Sequence, residues 1–185
     1  MEKRKNVGIA GPKILYYDKP NLIWSAGGKI NSLMIASHIG MNCNKNSFNS
    51  EYYVDYITGC CFLVKAKLFK EIGLLDEDYF LYSEEADFCI KARRKGYRIL
   101  YVPTSVIYHK VARSTNFSEN YYYHYVRSHI LLVRKNTPFL SLYLIIIFLC
   151  LYFLIAVKFA ILNKLEATRG IVRGLSEVLI FKFPT

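Results

Sequence analysis

No CxxC pair occurs in the sequence, and its five cysteines, Cys43, Cys60, Cys61, Cys89 and Cys150, are odd in number. That suggests neither a disulfide framework nor a structural zinc site, and the thiols read as small apolar side chains in a reducing compartment. The opening "MEKRKNVGIAGPKIL" lacks the long apolar core and cleavage site of a removable signal peptide. The globular part is therefore expected to face the cytoplasm. Internal repeats and low-complexity tracts are missing too, so neither a solenoid nor a disordered linker is expected. Acid is scarce: 14 Asp and Glu stand against 25 Lys and Arg, a formal net charge of +11. The cations are spread along most of the chain without a recognition motif, so no nucleic-acid partner is expected.

Apolar surface, by contrast, is plentiful. Hydrophobic residues make up 53% and aromatic residues 16% of the chain, with the excess in "PFLSLYLIIIFLCLYFLIAVKFAIL". No charge interrupts Phe139 to Val157, and a helix of that length spans about 28 Å, close to the roughly 30 Å of a bilayer core. The run predicts a transmembrane or deeply membrane-embedded helix. Arg127, Arg134 and Lys135 precede it and Lys158, Lys164, Arg169 and Arg173 follow it, as expected for contact with anionic lipid at the cytoplasmic membrane. Basic residues on both flanks assign no direction to the helix, and a re-entrant or interfacial arrangement stays open beside a span.

Ahead of that run, short strand and helix signals alternate. "VGIAGPKIL" predicts a strand over 7–15, and the Asn-, Ser- and Gly-rich 18–50 an irregular excursion with a short hairpin. Within it "WSAGGKINS" reads as a turn. β-Branched and aromatic residues through Val64 predict a buried strand, and Leu68, Phe69 and Ile72 share one face of a helix that Gly73 ends. "YRILYVP" and "SVIYH" read as two strands around a turn at Pro103, and a helix is expected over 119–135. The chain thus divides into a mixed α/β domain, 1–135, and a membrane-associated helix with a basic amphipathic tail, 136–185.

In this basic chain, Asp76, Glu77, Glu84, Glu85 and Asp87 crowd the start of one helix. Ser83 suits its N-cap, Glu84, Glu85 and Asp87 its positive N-terminal end, and Arg93, Arg94 and Lys95 its last turn before Gly96. Ordinary helix design accounts for most of that charge. It does not account for Glu85, which with Phe88, Cys89 and Ala92 follows i, i+3, i+4, i+7 and lies on the apolar stripe. A carboxylate aimed at the protein body is costly without a partner or a purpose. Backbone amides or Arg98 would supply the first, and a general-base role the second.

The order of blocks in "DYITGCCFLVKAKLFKEIGLLDEDYFLYSEEADFCIKARRKGYRILYVPTSVIYHK" resembles the C-terminal half of family 2 glycosyltransferases, in particular rhamnosyltransferase-like enzymes of cell-surface polysaccharide assembly. The likeness extends back through "VGIAGPKILYYDKPNLIWSAGG" and forward into "YYYHYVRSHILLVRK". It implies the acceptor-side half of a GT-A fold and inverting transfer of a sugar, rhamnose being the commonest, from a nucleotide sugar to a glycan or lipid-linked acceptor. On this pattern Glu85 matches the base that deprotonates the acceptor hydroxyl, although many relatives carry Glu-Asp where this chain has Glu84-Glu85. Asp76 and Glu77 match an acidic pair on the acceptor side. Gly59 matches a glycine that lets the ligand approach. Glu84 and Asp87 match positions beside the substrate, with helix-start chemistry as their first role. His109 matches a histidine that in some relatives approaches the metal or the diphosphate.

The family's donor site belongs to the other half of its fold, with an Asp-x-Asp motif for Mg²⁺ or Mn²⁺. Asp76-Glu77-Asp78 has that spelling but follows a helix-ending glycine and falls in the acceptor block, so it is not read as the metal motif. The expectation is an enzyme whose donor-binding half is absent from this chain or lies on a separate one. The competing expectation is a non-catalytic, membrane-attached remnant or partner subunit.

Overall fold

The computed structural model describes residues 4–111 and 117–180. The chain forms a mixed α/β structure that divides into two compact units. The first comprises 1–77 and 84–111, and the second 78–83 and 112–185. The helix that follows the first unit in the chain packs with the C-terminal helices.

In the first unit, β1 (Val7–Tyr16) is buried through nine consecutive positions, Val7 to Leu15. Such a strand must be covered on both faces, which is why it reads as a continuous apolar run rather than an alternating one. It pairs in parallel with β7 (Arg98–His109). β5 (Tyr52–Val54) adds antiparallel to β7, and β2 (Ile23–Ser25) and β6 (Leu63–Val64) both add antiparallel to β1. β3 (Gly28–Ile30) and β4 (Ala36–His38) form the short hairpin expected in the excursion. Two expectations are corrected here. "WSAGGKINS" is not all turn, since it contains most of β2 and all of β3.

The second correction concerns Pro103, which does not separate two strands. Pro12 pairs with Val102 but Lys13 with Val106, so 103–105 form a bulge inside one strand. Both prolines fall at this break, where a missing N–H costs the ladder least.

Lys13 follows the bulge and is only 4% exposed. Its Nζ donates to Lys45 O at 2.8 Å, Ser47 O at 2.9 Å and Asn49 Oδ1 at 2.6 Å. One ammonium group thus organises a stretch with no regular structure of its own, and burial lowers its pKa.

Helix α1 (Ala66–Ile72) ends at Gly73, whose φ of 83° needs a residue without Cβ strain, as expected. Helix α2 (Glu84–Arg94) carries the expected acidic first turn and basic last turn, and Gly96 at φ 86° follows it. Its stripe Phe88, Cys89 and Ala92 enters the core with Ile9, Ile57, Leu68, Ile99 and Tyr101. Ser83 departs from the expected N-cap: Tyr82 and Ser83 have φ of 67° and 70°, left-handed rather than extended. Two successive non-glycine residues in that region cost conformational energy immediately ahead of the acidic turn.

The second unit contains α3 (Glu119–Asn136), α4 (Ser141–Ile161) and α5 (Leu165–Ile180). Ser118 caps α3, accepting from Tyr121 N at 3.4 Å. A methyl on Gly170 of α5 would lie 2.2 Å from Glu119 O, and one on Gly174 3.1 Å from Tyr123 O. The Gly170-x-x-x-Gly174 spacing therefore brings α5 against the backbone of α3. Arg127 closes the contact through Glu177 at 2.9 Å. Among the described residues, α4 is the one helix long and apolar enough to cross a membrane.

Candidate active site

The chain comes up from the core at Ile57, and Thr58 and Gly59 bring it past the first turn of α2. A methyl built on Gly59 would stand 3.7 Å from Glu84 Oε1, 3.7 Å from Glu85 Cβ and 4.0 Å from Glu85 Cδ. Gly59 itself is exposed. A small side chain there would only touch the two glutamates, so the position beside them is sterically undemanding.

Glu85 is the unusual member of the cluster. Its Oε2 is shielded from solvent and has no hydrogen-bond partner, and Glu84 Oε2 is in the same condition. Burial, and secondly the neighbouring Glu84 carboxylate, push the Glu85 pKa up from 4.5 to about 7. The backbone N–H groups of Glu85, Gly59 and Ala86 oppose that rise. Two of those amides belong to the free N-terminal end of α2, where a negative charge is favoured. Burial also raises the Glu84 pKa. Of the two partners suggested by sequence, the backbone amides are present. Arg98 lies instead over the Tyr53 ring, 4.6 Å from its centroid. A carboxylate poised near neutral pH, with one oxygen unengaged, can take and release a proton.

Asp87 and Asp76 are held differently. Lys91 Nζ lies 2.7 Å from Asp87 Oδ2 and 3.4 Å from Asp76 Oδ2, so one cation joins the helix to the segment before it. Asp87 is 1% exposed, which makes its pairing with Lys91 a structural matter first. Glu77 is exposed beside Asp76.

His109 ends β7 with its ring 4.6 Å from that of Trp24. His38 packs on Trp24 as well, at 4.5 Å, and its Nδ1 lies 3.1 Å from Ser25 Oγ. Burial depresses the His109 pKa. His38 is lowered to about 4, by burial first and by His109 second. Both rings are therefore neutral at physiological pH. This aromatic cluster was not read from the sequence, because Trp24 and His38 lie in a stretch without periodicity. Their proximity depends on the β3–β4 hairpin and the end of β7. Among the described residues, no group of three or more His, Cys, Asp or Glu side chains could hold a metal ion. The divalent-cation site that the resemblance implies belongs to the donor-binding half of the family's fold, and His109 here packs on Trp24.

Several known proteins are similar to parts of this chain. Over partial stretches the chain is similar to glycosyltransferases, rhamnosyltransferases among them, which supports a glycosyltransferase at the general level. An N-acetylglucosaminyl-diphospho-decaprenol L-rhamnosyltransferase of Mycobacterium tuberculosis is 36% identical over 66 residues, 36% of this chain and 22% of that protein. The low-salt glycan biosynthesis hexosyltransferase Agl10 of Haloferax volcanii is 41% identical over 46 residues, 25% of this chain and 15% of that protein. The rhamnosyltransferase WbbL of Escherichia coli K12 is 27% identical over 112 residues, 58% of this chain and 42% of WbbL. The chain thus spans about a fifth of the length of the mycobacterial relative and less than half of WbbL. No family model matches the chain.

Proposed function

We propose that this chain supplies the acceptor side of an inverting, family 2-like glycosyltransferase of GT-A type, with Glu85 as general base. The observation that carries the proposal is the solvent-shielded, unpartnered Oε2 of Glu85 beside exposed Gly59. In the reaction the acceptor hydroxyl gives its proton to the Glu85 carboxylate while its oxygen bonds to the anomeric carbon. The bond from that carbon to the nucleotide diphosphate breaks with its electron pair on the diphosphate, and inversion follows from attack on the opposite face. A pKa of about 7 gives Glu85 the charged form in quantity at neutral pH while leaving it basic enough to accept the proton. Such a base contributes about 10²–10⁴-fold.

Glu84 raises the basicity of Glu85 from beside it. The Lys91 cluster with Asp76 and Asp87 holds the acceptor-side segment against α2, and Glu77 stands exposed for a sugar hydroxyl. On this reading the donor sugar is L-rhamnose and the acceptor a polysaccharide or lipid-linked glycan. The rhamnosyltransferase names of two relatives support the first, and the diphospho-decaprenol of one the lipid-linked acceptor. A Mg²⁺ or Mn²⁺ ion would belong to the donor-binding part, and no step is assigned to it on these residues.

The test is a chimera in which this chain replaces the matching segment of WbbL, assayed for transfer of labelled sugar. Given an active chimera, Glu85→Gln is expected to remove nearly all turnover while leaving donor affinity unchanged, and Glu85→Asp to retain part of it. Ordinary turnover by the Gln variant would refute the base assignment.

A further inference from the structure

Among the described residues, helix α4 packs through one stripe. Leu144, Phe148, Tyr152 and Ala156 are buried at four-residue spacing, and α4 lies against α3 and α5. The His129 ring of α3 meets Phe148 at 4.5 Å and its Nδ1 lies 2.8 Å from Tyr152 Oη, while Tyr122 of α3 meets Phe159 at 5.8 Å. α3 therefore runs antiparallel beside the middle and last part of α4. The opposite face of α4 is apolar and exposed at Tyr143, Cys150, Leu154, Val157 and Ile161.

The neighbours of α4 are not apolar. Level with its second half are the Arg127–Glu177 pair, 2.9 Å apart, and Arg173, which lies 4.3 Å over the Tyr123 ring and 3.9 Å from Glu119. A helix that crossed the bilayer with α3 and α5 attached would take these charges into hydrocarbon, where ionised groups are costly. The exposed cations Lys164 and Arg169 sit instead at the turn into α5 and on α5 itself, where a headgroup layer would meet them.

We infer that α4 lies in the plane of an anionic membrane rather than across it, its Tyr143–Cys150–Leu154–Ile161 face in the outer acyl region and Lys164 and Arg169 on the headgroups. The arrangement is that of a monotopic amphipathic attachment in which the polar face is furnished by packed helices instead of by α4 itself. It stands independently of the transfer reaction.

The full chain is tested with tryptophan depth probes. Tyr143→Trp, Cys150→Trp and Ile161→Trp, each in a Trp24→Phe background, fall on one face at 100° per residue. Each variant is bound to phosphatidylcholine/phosphatidylglycerol vesicles containing lipids brominated at different acyl depths. An in-plane helix gives the same shallow depth for all three. A deep Cys150 probe between two shallow ends overturns the inference in favour of a span. Vesicle flotation supplies the second arm. Binding is expected to weaken at least tenfold for pure phosphatidylcholine, for high salt, and for the Lys164→Glu/Arg169→Glu variant with its helical circular dichroism intact. Equal binding to both vesicle types, or no binding with the chain self-associated through α4, also overturns it.

Discussion

Gly59 and Glu85 meet beside the first turn of α2: a methyl group on the glycine would stand 3.7 Å from the Cβ of the glutamate. That spacing is ordinary van der Waals contact, so Gly59→Ala is expected to change stability by no more than about 0.5 kcal/mol. Gly59→Leu places a branched side chain over the carboxylates and should lower transfer by the active chimera at least tenfold. Circular dichroism and acceptor titrations of the two variants distinguish a blocked site from a damaged fold.

Glu85 should make activity and stability respond oppositely to pH. Its folded pKa of about 7 lies above the unfolded 4.5, so the folded state binds the extra proton. The resulting stabilisation is complete below pH 4.5 and is lost as pH rises through about 7. Activity rises over the same upper range as the base ionises. Denaturant titrations at pH 5 and pH 8 should show a decline on the order of 1–3 kcal/mol. Glu85→Gln should remove most of it, and an unchanged pH slope in that variant would contradict the assigned shift.

Lys13→Ala is expected to cost about 2–3 kcal/mol, because it strands two backbone carbonyls and the Asn49 side chain that share one ammonium. The damage should be local first. Limited proteolysis should cut the variant within 41–50 before the remainder of the first unit opens, and uniform protection there would argue against Lys13 as the organiser.

The two α5 glycines should differ. Gly170→Ala drives a methyl to 2.2 Å from Glu119 O, whereas Gly174→Ala reaches only 3.1 Å from Tyr123 O. Thermal unfolding of the helical unit should fall clearly further for the first variant than for the second. Equal shifts would mean that α3 and α5 can separate without loss.

Sequence periodicity carried the helices well, since a 3.6-residue stripe and glycine stops are local signals. It placed α1, α2, α3 and α4 close to their observed bounds and put Glu85 on the packed face of α2. A proline ordinarily ends a strand, and the bulge that admits Pro103 within β7 depends on the shift in pairing between Pro12 and Lys13 of β1, far away in sequence. Ser83 was misjudged because its residue type suits a cap whereas its backbone is left-handed. The Trp24–His38–His109 cluster and the three acceptors of Lys13 are also products of long-range folding, and no neighbouring residue announces them. Within the candidate site, the acidic helix start was legible. The closeness of Gly59 was suggested only by the resemblance to a family.

The parallel pairing of β1 with β7 also dictates an order of events during synthesis. β1 is made well before its principal partner, which is among the last elements of the first unit to appear. Until residues 98–109 emerge, a strand buried along almost its whole length has, among the described strands, the short β2 and β6 for neighbours. Such non-local pairing is slow and leaves sticky surface exposed meanwhile. The nascent chain should therefore depend on chaperone protection over that interval, and release from it should coincide with the arrival of β7.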